Sequence, residues 1–290
     1  MPELALGTAQ FGMDYGINND RGKIPQTEVC KILKFAKENY ISLLDTAYLY
    51  GESERVIGDC LKQLKLNFKI VTKIPYVENL ESAKEVIKTS LKRLGKEKIY
   101  GCLIHNFHNY LKHPKIWNYL LEIKNQGLIE KIGFSLYHPS EIEFLLKEKV
   151  RPQILQIPLS IFDQRFLPLL PHLKKLNVEI HVRSIFLQGL VFKKPEDLPL
   201  YFKPIIKNLA EINRLSEQEE IPLHALFLNF VFSIKEVDYI VIGVDGISHL
   251  SQQIEALSFL PKVLHLKAQL QALAIKEERI LLPYLWPKES

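Results

Sequence analysis

Short apolar runs alternate with longer segments of helical period along almost all of the 290-residue sequence. Runs of this length are typical of buried strands, and the segments between them repeat their apolar residues at the spacing of amphipathic helices. Eight strands can be counted, from ELALGT at 3–8 to DYIVIGV at 238–244. Consecutive strand ends lie roughly 20 to 30 residues apart, which is the period of a βα unit. This pattern predicts an α/β fold in which a closed (β/α)8 TIM barrel forms a single domain over residues 1–290. Two helices are expected between about 196 and 235, and further helices and a tail after 260.

The composition is that of an ordinary globular protein, with 47% hydrophobic and 24% charged residues. The formal net charge is +5, but the lysines are spread along the chain and form no basic stripe with interleaved aromatic residues. We therefore expect no nucleic-acid partner. No uncharged apolar run reaches the ~18 residues of a transmembrane helix, and the first residues do not resemble a secretory signal. The expectation is a cytoplasmic protein that does not enter a membrane, as a monomer or weak oligomer.

The three cysteines, Cys30, Cys60 and Cys102, are far apart and include no CxxC pair. This spacing is typical of a protein in a reducing compartment, and it indicates neither a disulfide framework nor a zinc site. His105, His108 and His113 could suggest a metal site, but no carboxylate stands at a fitting spacing. The sequence therefore predicts no metal.

Polar residues stand where several predicted strands end. Asp45, Lys73 and His105 close strands two, three and four, and Tyr50 follows shortly after Asp45. Taken singly, each could be a helix cap, a surface phenol or a core histidine. In a barrel, however, the carboxyl ends of the strands meet on one face, which is where such enzymes carry their active sites. We therefore predict that the four side chains converge as a catalytic set.

The chemistry of this set suits the reduction of a carbonyl group. A phenol with a pKa near ~10 is a weak acid, but a nearby ammonium stabilises its phenolate and lowers that pKa. Lys73 would supply the ammonium, Asp45 would keep it charged, and His105 would orient a substrate oxygen. Tyr50 would then donate a proton to an oxygen that gains negative charge. Tyr48 lies two residues earlier and is interpreted as a packing or substrate contact.

The strand-end residues belong to a longer ordered series of motifs: GTAQFG at 7–12, DTAYLYGESE at 45–54, VTK at 71–73, LIH at 103–105, GFS at 133–135, SIFLQGL at 184–190 and VIGVDGISHLSQQIEAL at 241–257. Together they resemble the aldo-keto reductases. The resemblance implies a TIM barrel that binds NADP(H) without a Rossmann domain, and no GxGxxG motif is present. It also implies Tyr50 as general acid, Lys73 and Asp45 as its charged partners and His105 as the residue that orients the carbonyl.

The resemblance further implies a set of cofactor-binding residues: Gly7, Thr8, Ser135, Gln156, Arg183, Ser184, Gln188, Gly243, His249, Gln252 and Gln253. Three positions depart from the family pattern. Leu136 replaces an asparagine that usually helps to hold the nicotinamide carboxamide. Arg183 replaces a tyrosine that stacks on the nicotinamide, and it could instead bind an anionic substrate or the pyrophosphate. Gly243 and His249 stand where Lys and Arg usually bind the 2′-phosphate. NADP(H) is therefore favoured, and NAD(H) is not excluded.

The predicted function is NAD(P)H-dependent reduction of an aldehyde or ketone, with a polar or sugar-derived small molecule as substrate. The polar run NFHNY at 106–110 is interpreted as a loop over the site. One alternative is a cofactor-binding barrel with little turnover that senses redox state or binds a partner. Another is a barrel isomerase or lyase that uses Lys73 as a Schiff base.

Overall fold

Eight parallel strands close into one barrel, in sequence order β1 to β8. The computed structural model describes residues 1–17, 19 and 21–287. The strands are β1 (Glu3–Gly7), β2 (Leu43–Asp45), β3 (Lys69–Ile74), β4 (Ile99–Ile104), β5 (Ile129–Ser135), β6 (Ile154–Pro158), β7 (Glu179–Arg183) and β8 (Tyr239–Gly243). The predicted (β/α)8 barrel is confirmed.

Helices surround the barrel between the strands, as short βα connections require. They are α1 (Ala9–Gly12), α2 (Gln26–Glu38), α3 (Ser53–Leu64), α4 (Leu80–Leu94), α5 (Phe107–Lys112), α6 (Lys115–Asn125), α7 (Pro139–Lys147), α8 (Leu170–Lys175), α9 (Ile206–Gln218), α10 (Leu223–Phe232), α11 (Ile247–Ala256), α12 (Leu260–His265), α13 (Lys267–Gln271) and α14 (Glu278–Leu281). The two helices expected between 196 and 235 are α9 and α10. Within the described residues no helix is both long and apolar enough to cross a membrane.

The local sequence explains where helices begin and end. Asn79 caps α4 by accepting a hydrogen bond from the Ser82 amide, and Gly95 ends the helix in the left-handed conformation. Such caps satisfy backbone groups that have no partner within the helix. The carboxylate of Glu141 accepts bonds from the amides of Tyr137 and His138 just before α7. The loop after β5 is thereby fixed to its helix.

The barrel interior has an apolar middle layer. Its side chains come from six strands: Ala5, Leu43, Val71, Leu103, Ile154 and Tyr239. A much larger apolar core lies between the strands and the outer helices. Since every strand is covered on both sides, the strand sequences are almost continuously apolar. Polar interior residues are therefore confined to the two ends of the barrel, and the carboxyl end carries the predicted catalytic residues.

Two predictions about local structure are wrong. Cys30 and Cys60 form a disulfide, with Cα atoms 5.1 Å apart. The sequence spacing gave no sign of it, because the pair forms only when the neighbouring outer helices α2 and α3 pack together. Residues 106–110 were expected to form a loop, but residues from Phe107 onward form α5. The side chain of Asn106 caps this helix by accepting bonds from the amides of His108 and Asn109.

Candidate active site at the carboxyl end of the barrel

Lys73 and Asp45 form a buried ion pair at the centre of the barrel mouth. Lys73 Nζ lies 2.7 Å from Asp45 Oδ2 and also donates to the Thr46 carbonyl at 2.9 Å. The second carboxylate oxygen of Asp45 accepts a 2.7 Å bond from Gln156 Nε2. Lys73 is only 1% exposed, so its ammonium depends on these oxygens in place of water. The pair is held in one geometry by groups from β2, β3 and β6.

Tyr50 and His105 complete the predicted set. Lys73 Nζ lies 5.1 Å from the centroid of the Tyr50 ring, over its face. The Tyr50 and His105 rings meet edge to face, with centroids 6.0 Å apart. The structure thus brings Asp45, Tyr50, Lys73 and His105 together at the ends of β2, β3 and β4. Both rings are partly exposed, so a small molecule at the mouth can reach a phenol and an imidazole at once.

The local environment shifts the pKa values of these groups. Burial, followed by the charge of Asp45, raises the pKa of the Tyr50 phenol well above its ordinary value. Burial also lowers the pKa of Lys73, although the adjacent Asp45 opposes this. The expectation that Lys73 lowers the pKa of Tyr50 is therefore wrong for the protein as it stands. The ammonium lies against the ring face, and desolvation of the phenolate is the larger effect.

His105 is a neutral imidazole over the working pH range. Burial, and then the nearby charges of Lys73 and Arg183, lower its pKa to about 3. A neutral imidazole has one N–H donor and one acceptor nitrogen, so it can orient a carbonyl oxygen without adding charge. A neutral imidazole with so low a pKa is a poor proton donor at neutral pH.

The loop that carries Tyr50 is held tightly against the start of the chain. A Cβ on Gly12 would lie 1.8 Å from the Tyr50 carbonyl oxygen, so only glycine permits this approach. Ser53 Oγ donates to the Thr8 carbonyl at 2.8 Å, and Thr8 Oγ1 donates to the Asp45 carbonyl at 2.9 Å. Thr8, predicted to bind cofactor, is fully buried. Its side chain supports the loop that carries Tyr50.

Ser135 and Arg183 end β5 and β7, and Gln156 lies in the middle of β6 between them. Ser135 pairs in register with Gln156, and Arg183 pairs with Pro158. Arg183 Nη2 reaches past β6 to donate to the Leu136 carbonyl at 3.0 Å. Its guanidinium carbon lies 4.1 Å from the centroid of the Tyr137 ring. The predicted nicotinamide contacts are therefore adjacent, although the Gln156 amide already binds Asp45.

The loop after β7 is shaped by left-handed backbone. Ser184 and Gln188 have φ of 61° and 54°, a conformation that non-glycine residues seldom adopt. Gln188 Nε2 donates to Tyr15 Oη at 3.1 Å, and the Ile17 amide donates to the Gln188 carbonyl at 3.2 Å. The segment that follows α1 thus contacts the β7 loop, where the cofactor was expected to pass.

The end of β8 combines an open backbone with an acidic neighbour. Gly7 and Gly243 pair in register at the ends of β1 and β8, and neither has a side chain to block an approaching molecule. His249 Nδ1 lies 3.2 Å from Asp245 Oδ2. Arg21 Nη1 donates to the Asp245 carbonyl at 3.0 Å. A carboxylate and a second cation therefore accompany His249, and the sequence interpretation included neither.

The two glutamines predicted to face the adenine do not share one environment. Gln252 is exposed, whereas Gln253 is 3% exposed. Consecutive residues of a helix point about 100° apart, so one of them turns inward on α11. Among the described residues, no partner bonds the Oε1 atom of Gln253. Gln252 therefore remains the better placed of the two.

Sequence reasoning missed two phenols at the mouth. Tyr15 lies close enough to Tyr50, Tyr137 and Arg183 to interact with them electrostatically, and burial raises its pKa to about 12. Tyr137 packs on Arg183 on one side, and its ring centroid lies 4.9 Å from that of Tyr284. Both tyrosines come from loops outside the quoted motifs. Only the GFSLY context of Tyr137, directly after β5, could have suggested it.

Within the part of the chain that the structure describes, no three His, Cys, Asp or Glu side chains form a group that could hold a metal ion. His108 is exposed, and His105 faces Tyr50. The three histidines considered in the sequence therefore do not form such a group.

Comparison with known proteins gives consistent results. A family model described as "Aldo/keto reductase family" matches residues 3–273. An "Uncharacterized oxidoreductase YqkF" of Bacillus subtilis is 24% identical over 277 residues, which is 88% of this chain and 86% of that protein. An "NAD/NADP-dependent indole-3-acetaldehyde reductase" of Schizosaccharomyces pombe is 24% identical over 54% of this chain and 55% of its own length. The solved structure of "aldo-keto reductase AKR11C1 from Bacillus halodurans (holo form)" has a TM-score of 0.74 at 22% identity, over 96% of this chain and 95% of that one.

Proposed function

Because the chain belongs to the aldo/keto reductase family, we propose that it reduces an aldehyde or ketone with a nicotinamide cofactor and uses Tyr50 as the proton donor. The observation that carries this proposal is the group of Tyr50, His105 and the Lys73–Asp45 pair at one point of the barrel mouth. A bound nicotinamide would supply the hydride. Side chains of this protein would orient the carbonyl and donate the proton.

Neutral His105 would hold the carbonyl oxygen by donating an N–H hydrogen bond. Tyr50 would donate its Oη proton to the same oxygen as negative charge develops on it. The phenol is protonated at neutral pH, since the ordinary tyrosine pKa of ~10 already lies above that pH and burial raises it further. Once the proton leaves, the phenolate is stabilised by the Lys73 ammonium over its ring. Asp45 keeps that ammonium in place, so the protein supplies a fixed positive charge where the proton departs.

The residues at the mouth fit a nicotinamide cofactor. Gly7 and Gly243 leave the backbone open at the ends of β1 and β8, and a Cβ on Gly243 would meet the Gln10 side chain at 3.1 Å. Ser135 and Gln156 provide polar groups beside Asp45. We propose that these residues, with Ser184 and Gln188, lie along the cofactor. The hydroxyls of Tyr15 and Tyr137 and the guanidinium of Arg183 favour a polar substrate at the mouth.

The choice between NADPH and NADH depends on the end of β8. Asp245 lies beside His249, and a carboxylate there repels the 2′-phosphate of NADPH. Since His249 and Gly243 stand where a lysine and an arginine would bind that phosphate, we propose only a modest NADPH preference. The His249→Arg variant should raise the preference further. A large NADPH preference would instead assign the phosphate to Arg21, which lies beside Asp245.

The decisive experiment titrates the purified protein with NADPH and NADH by nicotinamide fluorescence and then assays a panel of aldehydes. Binding followed by turnover supports the reductase. Tight binding without turnover on any aldehyde would support the cofactor-binding barrel with little turnover. Absence of binding to both nucleotides would exclude both functions. Borohydride trapping of Lys73 with a carbonyl compound would support a Schiff-base enzyme instead.

A further inference from the structure

Arg183 is a cation at the barrel mouth that the proposed reaction does not use. It ends β7, and on the same strand His181 packs edge to face on Tyr239 of the barrel interior, with centroids 5.0 Å apart. Side chains two residues apart on a strand share a face, so Arg183 also points inward, one layer closer to the mouth. The guanidinium then crosses β6 to the end of β5. This path places its charge above the catalytic residues.

The electrostatic effects of Arg183 agree with this position. Its charge acts to lower the pKa values of Tyr50, Lys73 and His105, although burial is the larger effect on each. Tyr15 at the rim experiences the same charge. Coulomb interactions of this kind weaken with distance and are screened by water. Arg183 therefore lies at the same end of the barrel as Tyr50, Lys73 and His105.

No carboxylate neutralises this cation among residues 1–17, 19 and 21–287. Arg183 donates to the Leu136 carbonyl at 3.0 Å and to Ser184 Oγ at 3.3 Å, both of which are neutral acceptors. The nearby carboxylate of Asp45 is already bound by Lys73 and Gln156. A guanidinium has five N–H donors, so these two bonds leave donors for another acceptor.

Arg165, in the segment after β6, provides a contrast. Arg165 Nη2 lies 2.8 Å from Asp163 Oδ2, and its Nη1 lies 2.7 Å from Glu278 Oε1. Two carboxylates thus balance that guanidinium. A partly buried cation without such a partner costs free energy unless a ligand brings the opposite charge. Arg165 has carboxylate partners, whereas Arg183 has only neutral ones. This difference indicates that Arg183 is available to bind an anionic ligand.

We propose that Arg183 binds an anionic group of the substrate, so that the enzyme prefers carbonyl compounds that carry a carboxylate or similar anion close to the reacting carbonyl. The planar fork of the guanidinium matches a carboxylate with two parallel hydrogen bonds. Tyr137 covers one face of the guanidinium and thereby restricts its orientation. This inference rests on the proposed reductase activity and adds the charge of its substrate.

The test compares 2-, 3- and 4-carboxybenzaldehyde with their methyl esters, which are one methyl group larger and carry no charge. In the wild type, at least one acid should exceed its ester in kcat/KM by about tenfold or more, as expected for a charge-assisted bidentate contact. The excess should shrink as ionic strength rises. In Arg183→Gln the acid-to-ester ratio should fall to about one, while Arg183→Lys should retain part of it. Any general loss through the cofactor affects acid and ester alike and cancels in the ratio.

Arg165→Gln is the matched control, because that arginine is already neutralised and its loss should leave the ratio unchanged. Equal rates for acid and ester at all three ring positions in the wild type would overturn the inference while leaving the reductase function intact. A ratio unchanged in Arg183→Gln, with a weakened NADPH or NADH affinity by fluorescence, would overturn it too and assign Arg183 to the cofactor. If no aldehyde or ester is reduced at all, the proposed function itself fails.

Discussion

Tyr50 is surrounded by groups that keep the proton on its phenol. Burial and the charge of Asp45 both disfavour the phenolate, whereas Lys73 lies over the ring face at 5.1 Å. A group whose pKa is far above the working pH is fully protonated, so the proposed acid would be ready in every turnover. Losing the proton would then be the costly step, and the Lys73 ammonium would lower its energy by stabilising the phenolate.

Replacing Tyr50 by Phe should therefore remove the proton donor and keep the shape of the pocket. A positioned general acid contributes ~10²–10⁴-fold to the rate, so kcat should fall at least 100-fold. The affinity for NADPH, measured by nicotinamide fluorescence, should stay within about twofold because the ring still fills its place. Tyr48→Phe is the control, since the Tyr48 ring packs on Arg93, and its turnover should remain close to wild type. Full activity in Tyr50→Phe would assign the acid to another residue.

The sequence predicted the meeting of Asp45, Tyr50, Lys73 and His105 because strand ends in a repeating βα chain can be recognised one by one. It did not predict the direction of the pKa shift of Tyr50, since that depends on how much protein surrounds the phenol. Thr8 is predicted to bind the cofactor from its place in GTAQFG alone, and the bond that its hydroxyl donates to the Asp45 carbonyl could not be predicted from that motif. Such assignments need side-chain orientation, which motifs do not contain.

At the scale of elements, α3 and α4 hold the catalytic loop from outside the barrel. Arg93 of α4 stacks on Tyr48, with the guanidinium carbon 4.5 Å from the ring centroid, and its Nη1 lies 3.4 Å from the Tyr48 carbonyl. Glu54 of α3 lies 3.5 Å from the same Nη1 and accepts a 2.6 Å bond from Thr72. Glu54 is 1% exposed. One arginine thus links the loop that carries Tyr50 to two helices and to β3.

Arg93→Met should loosen this loop and leave Glu54 buried without a cation. We expect a loss of about 2–3 kcal/mol in the free energy of unfolding. We also expect a kcat lowered by roughly tenfold, because small displacements of a catalytic group are costly. Urea unfolding and steady-state kinetics measure the two effects, and NADPH affinity should not change. Arg93→Lys should recover part of the lost stability and part of the lost kcat. The control is Lys92→Met, because Lys92 is exposed. A wild-type kcat in a destabilised Arg93→Met protein would show that Arg93 has a structural role only.

The Cys30–Cys60 disulfide links α2 to α3, two elements that sequence spacing could not bring together. Closing a loop of about 30 residues stabilises the folded state by roughly 3–4 kcal/mol in the chain-entropy view. Reduction should therefore lower the free energy of unfolding by about that amount. Thiol titration in denaturant should find one thiol, Cys102, before reduction and all three cysteines after it. Three thiols without reductant, together with a stability that does not respond to reductant, would contradict the bond.

At the scale of the molecule, the barrel has an ionic group at each end and apolar side chains between them. The amino end carries Glu179, whose Oε2 accepts bonds from Tyr100 at 2.7 Å and from Lys131, while its Oε1 lies 2.7 Å from His181 Nε2. The order of the strands was predictable, because each βα unit repeats the same local pattern. The network around Glu179 could not be predicted, since residues at the starts of β4, β5 and β7 appear in the sequence as ordinary polar positions at strand edges.

Glu179 should stabilise the closed barrel without taking part in catalysis. Burial acts to raise its pKa, but bonds from His181, Lys131 and Tyr100 outweigh this and lower the pKa to about 2, whereas an unfolded chain has ~4.3. A carboxyl group with a lowered pKa contributes stability above its unfolded value, and that contribution is lost as pH falls from about 4.3 toward 2. Glu179→Gln should therefore lower the free energy of unfolding by about 2–3 kcal/mol at pH 7, and the difference from wild type should narrow through the same pH range.

Urea unfolding between pH 7 and 3, followed by circular dichroism, measures this difference. Glu130→Gln is the matched control, because Glu130 is an exposed carboxylate on β5, and it should change stability by less than about 0.5 kcal/mol. Turnover should be unaffected in both variants, since the two ionic ends are separated by the apolar layer from Ala5 to Tyr239. Stability curves of Glu179→Gln and wild type that stay parallel down to pH 3 would mean that Glu179 is not held ionised by this network. A loss of turnover at full stability would instead couple the two ends of the barrel.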